Sequence, residues 1–151
     1  YCKLNALGFG MNQSEELQMV FVDKSEASAK HFMNGETGYS SLRRSLAALL
    51  KNEYDLAAIP RTKDAADADR YDNFALAEAS DEILTNWMQE HFQIAVLPVE
   101  KANIMGTVQG LINYNVPIFN LQNNRENKYG AEIKRLRKQC AEMARESELA
   151  S

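Results

Sequence analysis

The sequence predicts a mixed α/β domain of the α+β kind, a small sheet covered by helices, and three observations carry that prediction. Apolar runs at 17–22 and 93–99, bounded by polar residues and holding Val with Phe or Ile, have the length and composition of buried strands. Leu42, Leu46, Leu49 and Leu50 recur at the i, i+4, i+7, i+8 spacing of one buried helical stripe. The chain has 151 residues, 45% hydrophobic and 25% charged, which is enough for one domain with its own core.

Taken in order, residues 2–7 form a weak strand candidate, and Gly8 and Gly10 mark a turn before a polar loop at 12–16. With the strand at 17–22 this reads as a hairpin with a long loop. Residues 25–33 fit a helix capped by Ser25 and stopped by Asn34 and Gly35. Residues 38–41 then supply a turn and cap for the leucine-striped helix. Residues 60–72 are rich in Asp, Ala, Lys and Arg with no apolar period, so they read as a mobile surface loop. Residues 73–76 alternate polar and apolar, as in a short strand. Ser80 is the expected cap of the next helix, with Asp81 and Glu82 in its first turn, where negative charge suits the dipole. Its apolar face is Ile83, Leu84, Trp87 and Met88. Asn103 is the expected cap of a helix carrying Ile104, Val108, Leu111 and Ile112, ended by Asn115 and Pro117. A last, highly charged helix is expected over about 128–148, with Ile133, Leu136, Cys140 and Met143 as its face. The expected organisation is one domain over 1–127, with the charged helix of 128–151 packed on it.

Charge and cysteine usage narrow the function classes. A net charge of −4 argues against indiscriminate binding to phosphate backbones, although a local basic patch is compatible with it. Cys2 and Cys140 are too few and too far apart for a disulfide scaffold, so a reducing compartment is expected, and with it a cytoplasmic location. No apolar run approaches the roughly 20 residues needed to span a bilayer, so no membrane partner is expected. The chain starts at Tyr1 without a Met, which reads as a trimmed chain or a piece of a longer one.

Three features bear on chemistry. Ser40-Ser41-Leu42-Arg43-Arg44-Ser45 sets two arginines in the first turn of a helix, where positive charge opposes the dipole. They are either exposed arginines reaching solvent or, with the free N–H groups of the helix start, an anion site suited to phosphate. Lys134, Arg135, Arg137 and Lys138 form a second basic cluster, read as a solvated helix face or as a surface for a nucleic-acid backbone. Asn120, set between Phe119 and Leu121, is expected to turn into a pocket or to cap backbone. Cys140 occupies a core position, and His31 and His91 are single histidines without an evident acid–base partner.

Together and in this order, these features resemble the GIY-YIG nuclease superfamily, in a bacterial GIY-YIG-like branch. The resemblance runs from the arginine segment at 40–50 through Arg70 to Phe74 and Leu84 to Phe92. It continues along the strand Ile94 to Pro98 and the ending Pro117-Ile118-Phe119-Asn120-Leu121, covering roughly residues 20 to 124. It implies a central, mainly antiparallel sheet of about three strands flanked by helices. It also implies metal-assisted phosphodiester hydrolysis with Mg2+ or Mn2+. A tyrosine would handle the proton of the attacking water, a helix arginine would stabilise the phosphate, and a glutamate would hold the metal.

Carried over residue by residue, the pattern is eroded. Tyr1 stands where the first tyrosine motif would end. Phe21-Val22-Asp23 takes the place of a Tyr-Val-Gly type motif, without its phenol, and is followed by Lys24 and Ser25. Lys30 and His31 stand where the helix arginine is expected, and lysine does not replace arginine for bidentate contact. Val108 and Gln109 stand where the metal glutamate is expected, and Asn120 is the late polar position that is kept. The catalytic candidates are therefore Tyr1, Lys24, Lys30, His31 and Asn120, with the metal ligands unknown. The nucleic-acid candidates are Arg43, Arg44, Lys134, Arg135, Arg137 and Lys138. The reading this supports is a nuclease-like domain with weakened or absent cutting that binds nucleic acid, DNA before RNA. One alternative is an active metal-dependent endonuclease with shifted residues such as Asp23, Lys24, His31 and Tyr39. The other is a protein-interaction module using the acidic surface and the 60–72 loop, with no nucleic-acid role.

Overall fold

The computed structural model describes residues 3–6, 17–21, 36–96 and 100–150. Strand β1 (Lys3–Ala6) pairs antiparallel with β2 (Leu17–Phe21), Lys3 lying opposite Phe21. β2 pairs in parallel with β5 (Phe92–Val96), Leu17 lying opposite Phe92, so the sheet order is β1-β2-β5. The first two strands pair antiparallel, as a hairpin requires, and the two apolar runs lie in one sheet. The parallel direction of β5 fits the chain between it and β2, which is long enough for a helical crossover. A second, two-stranded antiparallel ribbon joins β3 (Ala58–Ile59) to β4 (Ala75–Leu76), and β3 was not foreseen from periodicity because two residues carry none. Two of the three pairings among the described residues are antiparallel.

Helix α1 (Ser41–Tyr54) begins where the Ser40 Oγ accepts the Arg43 backbone N–H at 3.1 Å. It ends on Asp55 in the left-handed region (φ 50°), a conformation Asp tolerates, with the Leu56 N–H closing onto the Lys51 carbonyl. The other helices are α2 (Glu78–His91), α3 (Ile104–Asn115) and α4 (Gly130–Leu149). Short 3-10 turns at Thr37–Tyr39 and Lys101–Asn103 lead into α1 and α3. α4 packs along α1 and across β3. Leu42, Leu46 and Leu50 of α1, Leu84 and Met88 of α2, and Ile133, Cys140 and Ala144 of α4 are buried together with Phe74 and Phe119. Trp87 packs at the margin of this core. Of the apolar residues expected on α3, Leu111 is only half-buried and the next position, Ile112, is buried.

Several local expectations are corrected. α2 starts two residues before Ser80, at Glu78, so Ser80 is not its cap; its hydroxyl instead accepts the Ala57 N–H at 3.0 Å. Ile83, placed on the apolar face, is 40% exposed. Asn103 does precede α3 but makes no side-chain cap bond. The 60–72 loop is pinned rather than loose. Arg61 pairs with Asp67, Arg70 and the Tyr71 hydroxyl meet Glu148 of α4, and Arg145 pairs with Asp72. α3 stops with Val116 in the left-handed region (φ 44°), an uncommon place for a β-branched residue. The chain beyond is held by amide side chains. Asn124 Nδ2 donates to the carbonyls of Pro117 and Asn120, and Asn127 Nδ2 donates to that of Ile118. The helix expected at 25–33, and residues 97–99 of the last expected strand, lie outside the described residues.

Candidate functional site

The site starts from the first turn of α1. Arg43 was expected at the surface, yet it is 0% exposed. It lies three residues before Leu46 and seven before Leu50, on the stripe that α1 turns into the core. Its charge is met there by Asp81 of α2, with Nη2 3.0 Å from Oδ1 and donating also to the Asp81 carbonyl and to the Thr85 hydroxyl. Its Nε donates to the Thr37 Oγ1 at 3.2 Å, and the Thr37 hydroxyl donates in turn to Asp81 Oδ1. The network fastens the 3-10 turn, the start of α1 and the first turn of α2 to one another. Arg43 is therefore a strut, with its guanidinium sealed from any solvent-borne phosphate.

Arg44 is one position further round and faces α4. It is also buried, at 8% exposure, against the same expectation. Nη1 donates to the Gly38 carbonyl at 2.6 Å and, at 3.4 Å, to that of Thr37, the residues the strut holds in place. Its Nε has no partner. Burial, together with Arg137 and Arg61 nearby, pushes its pKa down to about 10, so it stays a cation at neutral pH.

Arg44 lines a cleft of about 910 Å3, at the upper end of the range for ligand sites. Ser41 continues that wall, and its hydroxyl accepts from Arg137 Nη1 at 3.2 Å, bridging α1 to α4. Lys134, Arg137 and Lys138 form the α4 wall, Val108 the α3 wall, and Asn120 sits on the loop side. The Asn120 Oδ1 is buried and unpartnered, while its backbone carbonyl is occupied by Asn124. The described lining thus carries four cations. Its one carboxylate, Asp72, is turned to Arg145 at 3.1 Å. Such a surface suits an anion with several oxygens and a group that can donate to Asn120.

A protein-family model described as the GIY-YIG catalytic domain matches residues 7–139, well over half of the chain. The chain belongs to the GIY-YIG family. Neither a curated protein nor a solved structure matches it. The family assignment extends the resemblance at both ends, to the hairpin and onto α4, and makes the domain nuclease-like in kind.

Within this GIY-YIG domain the structure gathers Arg44, Asn120, Lys134, Arg137 and Lys138 round one cleft. Arg135 does not join them: it points along the outside of α4 and pairs with Glu132, Nε lying 2.8 Å from Oε2. Tyr1, Lys24, Lys30 and His31 lie outside the described residues, as does Asp23. Tyr39 is exposed and is not among the residues that line the cleft. Cys140 is buried in the core, which pushes its thiol up to about 11 and leaves it unsuited to nucleophilic work. His91 stacks on Trp87, ring centroids 4.4 Å apart, away from the cleft lining. Sequence reasoning missed Thr37 and Asp81 as the partners that set the arginines. The available signal was an arginine on the buried stripe of α1, which demands a counter-charge from a neighbouring element. No helix among the described residues is long and apolar enough to cross a membrane.

Proposed function

We propose that this GIY-YIG domain holds the phosphodiester backbone of a nucleic acid in the cationic cleft between α1 and α4, and cuts it weakly or not at all. The observation that carries the reading is the concentration of Arg44, Lys134, Arg137 and Lys138 in one cleft of a chain whose net charge is −4. Positive charge gathered in a concave, partly desolvated place attracts phosphate far more than the average charge suggests. The weak-cutting half rests on Val108. It lines the cleft at the position where the family resemblance expects a metal-holding glutamate, and an isopropyl group offers no oxygen to a hard divalent cation. Asp72 is engaged by Arg145, and four cations surround the remaining space. The described lining does not fit Mg2+ or Mn2+.

The test is fluorescence anisotropy with labelled DNA, then RNA, at low salt. Lys134→Glu with Lys138→Glu is expected to weaken binding on the order of tenfold or more, through lost phosphate contacts and added repulsion. Both residues are exposed, so the fold should be kept. Plasmid DNA incubated with Mg2+ or Mn2+ is expected to stay essentially intact. Absence of binding at low salt, or binding indifferent to the double substitution, would favour the protein-interaction reading. Rapid metal-dependent cleavage stopped by EDTA would sink the weak-cutting half alone.

A further inference from the structure

The 3-10 turn that fastens Arg44 also presents an aromatic ring. Tyr39, its last residue, is 61% exposed. Ser41, which lines the cleft, is two positions on, so the two Cα atoms are within about 7 Å of each other. Gly38, the residue before Tyr39, carries the carbonyl to which Arg44 donates. Tyr39 is not itself a lining residue, but the turn that carries it adjoins the cationic wall.

The ring is also braced. The Arg61 guanidinium lies 5.4 Å from its centroid, a cation–π contact that takes one face. Arg61 is held in turn. Its Nε is 3.1 Å from Asp67 Oδ2, and its backbone N–H reaches the Arg70 carbonyl at 2.9 Å. Its stem passes so close over Gly38 that a Cβ there would come within 2.7 Å of Arg61 Cγ. Glycine is what lets the arginine lie flat against this turn. With a fixed cation against the ring the residue is still mostly in water, so ring surface remains available for stacking.

We propose that Tyr39 is a base-stacking platform that directs the cleft toward single-stranded nucleic acid; the inference rests on the cleft reading above. A strand whose phosphates lie along Arg44, Arg137, Lys134 and Lys138 brings an unpaired base over the rim, and any base offers a π-face to a tyrosine. A duplex offers its phosphates to the same cations, but its bases are paired and stacked inside the helix and leave the ring uncovered. The arrangement therefore adds affinity for unpaired nucleotides without adding any for duplex.

The experiment compares a labelled single-stranded oligonucleotide with the duplex of the same sequence by anisotropy. The proteins are the full chain, Tyr39→Ala, Tyr39→Trp, and Lys134→Glu with Lys138→Glu. Tyr39→Ala should weaken single-strand binding on the order of tenfold and leave duplex binding unchanged. Tyr39→Trp should retain or tighten single-strand binding. The lysine double variant should weaken both. If the lysine variant weakens binding while Tyr39→Ala leaves single-strand affinity intact, or lowers both affinities equally, the stacking role is overturned and the cleft reading stands. If the lysine variant changes neither affinity, the cleft reading fails and the stacking inference fails with it.

Discussion

Arg43 and Arg44 are consecutive in sequence and opposite in consequence. Arg43 balances Asp81 inside the fold, and removing one member of a buried pair leaves the other charge uncompensated. Arg43→Ala should therefore cost about 3–5 kcal/mol of stability, read from urea unfolding. Arg44 is a different case. Burial and the two neighbouring guanidiniums disfavour its charge, as its depressed pKa of about 10 records. Removing that charge relieves an unfavourable term that offsets the two carbonyl hydrogen bonds lost. Arg44→Gln should change stability by no more than about 1.5 kcal/mol, yet weaken nucleic-acid binding clearly in anisotropy. If Arg44→Gln unfolds the protein as Arg43→Ala does, the separation of strut from ligand contact is wrong.

At the scale of elements, the chain declares what repeats and hides what pairs at a distance. The stripe Leu42, Leu46, Leu50 made α1 readable, and the basic run at 134–138 made the α4 wall a candidate. That the two walls face each other depends on α4 packing along α1 and on the bond from Arg137 to Ser41, 96 positions apart, which leaves no local pattern. The 60–72 loop is the same lesson in reverse. It lacks apolar periodicity, which by itself predicts a mobile loop, but Arg70 and Tyr71 clasp Glu148 near the end of α4, with both Arg70 and Arg145 over the Tyr71 ring. The Tyr71 hydroxyl, and then Arg70, hold the Glu148 carboxyl below its ordinary 4.5. A carboxylate with a depressed folded pKa adds stability that is present above 4.5 and is lost as pH falls through the native value. Hydrogen exchange should show backbone protection in 60–72 at neutral pH, falling in acid below 4.5. Glu148→Gln should lower that protection already at neutral pH. Equal protection in the variant and the parent would mean that the clasp does not hold the loop.

For the molecule as a whole, a negative body with one positive cleft makes a specific claim about salt. Each phosphate neutralised releases counterions, so log affinity falls with log salt at about 0.7 per contact for a single strand. Arg44, Lys134, Arg137 and Lys138 are the cations of the described lining, so four contacts at most give a slope near −3. With a net charge of −4 and no further basic wall among the described residues of the cleft, affinity at physiological salt should be micromolar or weaker, as for non-specific binders. Lys134→Gln with Lys138→Gln should roughly halve the slope, because it removes two of the four contacts. Arg135→Ala should leave the slope unchanged, since Arg135 is spent on Glu132 along the outer face of α4. The measurement is anisotropy titrated across a salt series for the three proteins. A parent slope well beyond −3, or one that falls with Arg135→Ala, would show that the strand runs over the outside of α4 and that the cleft is not its main seat.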